Sequence, residues 1–289
     1  MRARSAGASS ASAASARRII LCADDYGLAP GVNGAIRELV AAGRLNAASA
    51  MVVAPSLTDA EAAALAAAAA PRRAAIGLHL TLTGPFRPAS PGYRPTPHGH
   101  FPGVGRMLVL ATARRLDPAA LSAEVAAQLA AFVSRFGRTP DFVDGHQHVH
   151  LFPQVRDAVL AVIKRAAPSA WLRQCGAATP LRHRLGDPKG LLIDRLSRAF
   201  RARAHRLGLA VNPAFAGTYT YRETTAFARI FPGFLDGLPD GSVVMCHPGR
   251  VDAELARLDP LTTLREAEYA YFAGPDFPRA LAARGVRLA

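Results

Sequence analysis

Short apolar, β-prone runs alternate with longer stretches of helical spacing along most of this 289-residue chain. Residues 17–23 (RRIILCA) read as a buried strand, and from 31 to about 42 Val32, Ala35, Ile36, Leu39 and Val40 keep a helical period until Gly43 stops it. Further strands are predicted at 49–53, 74–80, 141–150, 171–173, 242–246 and 286–288. Helices are predicted at 58–70, 118–136, 153–166 and 262–272, and the basic stretch 182–207 reads as helical after Pro188. Residues 84–105 are rich in Pro and Gly and read as a long loop. The alternation has no repeat period and no dividing linker, so it predicts one α/β domain over 17–289 on a parallel sheet. A barrel and an open doubly wound sheet both fit, and both gather their chemistry at the carboxyl ends of the strands.

Several predicted strands end in polar residues of one chemical kind. Asp24-Asp25 closes the first, His79 lies near the end of the third, Asp144, His146, His148 and His150 lie on the fourth, and His247-Pro248-Gly249 follows 242–246. If the fourth strand stays extended, its alternate residues Asp144, His146, His148 and His150 project from one face. His and Asp donors without Cys suit zinc or another first-row divalent ion at a catalytic site with an open position. Adjacent carboxylates face opposite ways in a regular strand, so Asp24 and Asp25 reach one site only if the chain turns there, and residues 26–31 supply a turn. One of them would then hold metal while the other takes a proton, unless one merely caps the helix beginning near Gly31. His247 reads as a site residue or as a surface-loop histidine. Loop-like or arginine-rich surroundings set His98, His100, His183 and His205 aside.

Half the residues are hydrophobic and 19% are charged, which excludes a largely disordered chain. The net charge of +14 comes almost wholly from arginine, since lysine occurs only at Lys164 and Lys189. Cys22, Cys175 and Cys246 form no CxxC pair, which argues against a disulfide scaffold and fits a reducing cytoplasm. No apolar run approaches the ~18–20 residues of a membrane span. The start, MRARSAGASSASAASA, lacks a leucine-rich core and reads as a low-complexity, disordered tail over 1–16 rather than a secretory signal. Residues 195–206 place arginines beside Leu196, Phe200 and Leu207 at helical spacing, either as a solvated outer helix or as a contact for an anionic membrane at the inner face. No nucleic-acid motif accompanies them, so nucleic acid is not expected as a partner. Apolar residues 101–110 could line a greasy entrance, although 106–113 alone reads as a core helix. Tyr26, Phe86, Trp171, Phe215 and Tyr219 are candidates for a sugar platform or for the core.

Four stretches in order, ADDYGLAPGVN at 23–33, IGLHL at 76–80, DGHQHVH at 144–150 and MCHP at 245–248, resemble the YdjC-like carbohydrate deacetylases. These act on chito-oligosaccharides and on N-acetylglucosaminyl hopanoid lipids. The resemblance implies an irregular (β/α) barrel and one divalent metal ion, with zinc favoured and magnesium or another divalent ion left open. It implies Asp25, His79 and His146 as ligands, Asp24 as general base and His247 as general acid. Asp144, His148, His150 and Arg173 fall near the site, with Asp144 or His148 as candidates to orient a ligand histidine. The implied reaction removes an N-acetyl group from an N-acetylglucosaminyl glycan or glycolipid, the hopanoid type slightly favoured. The alternatives are another metal hydrolase, such as a two-metal phosphoesterase, and a non-enzymatic basic protein that binds nucleic acid or membrane.

Overall fold

The structure, a computed structural model, describes residues 16–178, 188–221 and 226–289; the tail expected over 1–16 lies almost wholly outside them. Among the described residues eight strands form one sheet, β1 (Arg17–Tyr26), β2 (Ala47–Ala50), β3 (Ala75–Leu80), β4 (Phe142–Gly145), β5 (Trp171–Leu172), β6 (Phe215–Ala216), β7 (Ser242–Cys246) and β8 (Val286–Leu288). All pairings are parallel, in the order β5-β4-β3-β2-β1-β7-β6, with β8 beside the start of β1. Isolated parallel bridges from Leu172 to Val211 and from Ala177 to Phe215 join the two edges, so the sheet curls into an irregular (β/α) barrel.

Helices α1 (Pro30–Ala41), α2 (Asp59–Ala69), α3 (Val104–Thr112), α4 (Pro118–Phe136), α5 (Val155–Ala166) and α6 (Pro188–Arg206) cover the sheet. They are followed by α7 (Phe227–Phe234), α8 (Ala253–Leu258), α9 (Thr263–Ala273) and α10 (Asp276–Ala283). The predicted helix at 31–42 is α1, whose Val32, Ala35, Ile36, Leu39 and Val40 are all buried, as its period required. β6, α7, α8 and α10 carry no prediction. Two residues are too few to show a period of two, α7 contains Pro232, and α8 is only six residues long. Among the described residues no helix is long and apolar enough to cross a membrane.

The largest departure is at the fourth strand, which stops at Gly145. Residues 146–151 wind into a 3-10 turn with Gln147 and His148 in the left-handed region, at φ 53° and 58°. The shared face expected for Asp144, His146, His148 and His150 therefore does not form. Gly145 allows the tight return, because a Cβ there would lie 2.8 Å from His150 Nδ1.

Gly217, just after β6, sits at φ +104°, where a Cβ would come within 2.1 Å of the Met245 carbonyl oxygen on β7. Gly217→Ala should destabilise the fold by at least about 2 kcal/mol, combining a strained backbone conformation with a steric overlap. A denaturant midpoint within error of the parent would refute this.

Candidate metal centre and active site

β1 brings two adjacent carboxylates to one place through a bulge. Ala23 pairs with Ala48 but Tyr26 pairs with Ala50, so β1 carries one residue more than β2. Asp25 takes up the excess at φ 67°. A bulge re-aims side chains that would otherwise point to opposite faces, and both Asp24 and Asp25 line the same cavity. Asn33 fastens the turn, its Oδ1 accepting from the Gly27 N–H at 2.6 Å. Neither aspartate caps α1, whose first-turn Gly31 N–H instead donates to Asp252 Oδ2 at 2.6 Å.

Asp25, His79 and His146 each offer a ligand atom, all within 4.8 Å of one another. Asp25 Oδ1 lies 3.2 Å from His79 Nε2 and 3.0 Å from His146 Nδ1. Those spacings approach the edge of about 3.3 Å expected of a tetrahedron with bonds near 2.0–2.1 Å. His79 Nδ1 donates to Asp144 Oδ1 at 2.7 Å, which leaves Nε2 facing Asp25. Such an outer carboxylate fixes the tautomer and raises the basicity of a ligand histidine. Ser49 Oγ stands 3.1 Å from the same nitrogen. The donor set and its spacing fit a divalent ion.

Two buried arginines complete the electrostatics. Arg173 reaches both oxygens of Asp24, at 2.6 and 2.7 Å, and comes within 2.6 Å of Asp144 Oδ2. Arg265 NH2 donates to Asp25 Oδ2 and Asp259 Oδ2, both at 2.6 Å. Four carboxylates thus meet two guanidiniums, an excess of two formal negative charges that a divalent cation would balance. Burial alone would raise the Asp25 carboxyl, but Arg265 and His146 outweigh it and hold the group well below the usual carboxylate range. Burial alone would depress His79, but Asp144, Asp24 and Asp25 hold it up to about 10.

His247 follows β7 and lines the same cavity. Its backbone N–H donates to Glu268 Oε2 at 2.5 Å, and Tyr219 holds the other oxygen of that carboxylate at 2.7 Å. Burial pushes the His247 imidazole down to about 4, against the pull of Asp25 and Asp24. Burial raises Glu268 to about 7 despite its hydrogen bonds.

The remaining candidates divide. His148 lines the cavity, edge-on to Phe215 and with Nδ1 3.5 Å from Cys175 Sγ. His150 turns away, its Nε2 on the Arg173 carbonyl oxygen at 2.8 Å and its ring edge-on to Phe200. Phe86 packs edge-on to His146, and Tyr26 and Phe215 are buried. None of the five proposed sugar-platform aromatics lines the cavity; Phe152 and Tyr221 do. His98 and His205 are exposed, and His183 lies outside the described residues. Sequence reading missed Arg265 and Glu268. They lie three residues apart on α9, Arg265 240 residues along the chain from Asp25 and Glu268 21 residues from the His247 N–H it accepts from, and nothing local distinguishes them from surface charges.

The cavity, about 500 Å³, opens at the carboxyl ends of β1, β3, β4 and β7. Its far wall is apolar, with Val104 and Leu108 from α3 and Leu192, Ile193 and Leu196 from α6. Val104, Gly105 and Leu108 line the cavity while Met107 and Ala111 of the same helix are buried, so α3 carries both the entrance-lining and the core reading of this stretch.

Fold and site together define a parallel (β/α) barrel with a candidate single-metal centre at its carboxyl end. Residues 18–283 match the YdjC-like protein family, and the chain belongs to it. It is 32% identical over 276 residues to a carbohydrate deacetylase of Geobacillus stearothermophilus, covering 94% of this chain and 96% of that relative. It is 31% identical to a human carbohydrate deacetylase, covering 80% and 75% of the two chains. A chitooligosaccharide deacetylase of Citrobacter koseri is 28% identical over 94% of this chain and 97% of its own. The same fold is seen in a candidate cellobiose-phosphate cleavage protein of Enterococcus faecalis, with a TM-score of 0.72, 21% identity and coverage of 95% and 97%.

Proposed function

We propose that this chain is a metal-dependent amidohydrolase that removes the N-acetyl group from an N-acetylglucosaminyl glycan or glycolipid, consuming water and yielding acetate and a free amino sugar. The observation that carries the reading is the meeting of Asp25, His79 and His146 with an arginine-clamped Asp24 in one cavity. Several relatives are carbohydrate deacetylases, which supports this reaction and this class of substrate.

In this reading Asp25, His79 and His146 hold one divalent ion, zinc before magnesium or another metal. When bound, that ion supplies Lewis acidity, polarising the acyl oxygen and lowering the pKa of water. Asp24 takes the proton of the attacking water, and the two-pronged grip of Arg173 fixes the plane of its carboxylate. Asp144 holds His79 in its working tautomer, and His150 steadies Arg173 through its backbone carbonyl. Burial keeps His247 neutral at rest, so as general acid it takes over the proton that Asp24 received from the water and passes it to the departing amine. His148 bounds the pocket for the acyl or sugar group.

A two-metal phosphoesterase is disfavoured by Arg173. The second cluster of potential ligands, Cys22, Asp24 and Asp144, has both of its carboxylates engaged by that guanidinium. Within the proposed class, the apolar wall from α3 and α6 favours a glycolipid of the hopanoid kind over a soluble chito-oligosaccharide. A cytoplasmic setting, with work at the inner face of the membrane, accords with three free, buried cysteines.

The test is acetate release from soluble and lipid-linked N-acetylglucosaminyl substrates, before and after chelation and with metal restored. Release should stop on chelation and return with about one ion per chain. Metal-loaded protein that releases no acetate from either substrate would sink the proposal.

A further inference from the structure

Among the described residues five large apolar side chains stand exposed, and four of them, Val104, Val109, Leu192 and Leu207, lie on α3, on α6 or directly after α6. Both helices pack against the turn that carries His146 and His148, and both line the cavity. One face of α6 continues beyond that mouth, because Leu192, Leu196, Arg203 and Leu207 are spaced by four or seven residues. Its far end, with Arg206 and with Lys164 and Arg165 of α5, lines a second, open and basic cleft. The acid in that cleft, Asp157, is paired with Arg203. Over its whole length α6 carries Lys189, Arg195, Arg198, Arg201, Arg203 and Arg206 against the single acid Asp194. Arg114, after α3, joins the cluster: burial and then neighbouring guanidiniums, Arg114 among them, push Arg156 and Arg203 down. Like charges gathered this way are held at a cost unless an anionic surface meets them.

We propose that the α3–α6 face seats the protein on a bilayer of anionic phospholipid, with the cavity mouth at the headgroup layer. Basic side chains meet the negative headgroups while Val109 and Leu192 enter the acyl boundary. A nucleic acid would match the arginines but leave exposed valine and leucine without a partner. The surface stands on its own; only the claim that it delivers a lipid-linked amide to the cavity rests on the proposed reaction.

Co-sedimentation of the whole protein with phosphatidylglycerol–phosphatidylcholine vesicles, against phosphatidylcholine alone, tests this. The protein should pellet only with the anionic vesicles, and added salt should release it. Arg114→Ser with Arg206→Ser should lower partitioning about twenty-fivefold, at roughly fivefold per basic side chain. Val109→Ser should lower it as well. These variants should keep the parent kcat on soluble N-acetylglucosamine oligomers. Pelleting that is absent, equal on both vesicles or unchanged in the variants would overturn the proposal, as would DNA binding lost in the variants without vesicle binding. Acetate release without vesicle binding removes the docking surface alone; vesicle binding without acetate release removes the reaction alone.

Discussion

His79→Ala should strip the metal from the protein and take acetate release to background. His79 is almost wholly buried between Asp25 and Asp144 and supplies one of three proposed donors, so truncation leaves two donors and no route for a replacement side chain. Metal content by elemental analysis should fall from about one ion per chain to a small fraction. The fold should persist, because strands β1 to β4 pack through separate apolar contacts. Asp144→Asn gives the graded control. Asp144 holds His79 Nδ1 and in the proposed centre would orient that histidine without ligating, a position where losses of about 10–100-fold in metal affinity are typical. A His79→Ala protein that keeps full metal and turnover would remove His79 from the centre.

Asp24→Asn should do the opposite, retaining the ion while kcat falls by about 10²–10⁴, the range lost with a general base. Asp24 belongs to no part of the Asp25, His79 and His146 cluster, so metal content should stay at parent level. Its amide would face one Arg173 N–H with a donor instead of an acceptor, disturbing a buried ion pair. A melting curve and a KM comparison separate that structural cost from the catalytic one. Loss confined to kcat, with KM and metal unchanged, identifies Asp24 as the proton acceptor. Near-parent kcat at full metal content would dismiss it.

The legible part of the fold was the part written in local pattern. α4, β7 and β8 carry the boundaries expected of them, because uninterrupted periods, a Pro at the helix start or a Gly at its end mark them in the chain itself. The family was legible for a similar reason, since four short motifs sit at the ends of β1, β3, β4 and β7. The 141–150 run misled: alternate His residues mimic a strand, yet Gly145 and two left-handed residues turn the chain after four residues of β4. His150 was therefore taken toward Arg173 and away from the cavity.

The sequence alone determined the alternation of strand and helix, the parallel sheet it demands, and which carboxylates and imidazoles stand at strand ends. Those follow from side-chain period and local turn chemistry, which act within a few residues. Tertiary structure alone decided that Asp24 and Asp25 face one cavity, through a bulge defined only against β2. It also decided that Arg173 clamps Asp24 and Arg265 clamps Asp25, across separations of 149 and 240 residues. Burial makes those pairings decisive. A guanidinium out of water must find carboxylates wherever the folded barrel places them, and no local pattern along the chain records that place.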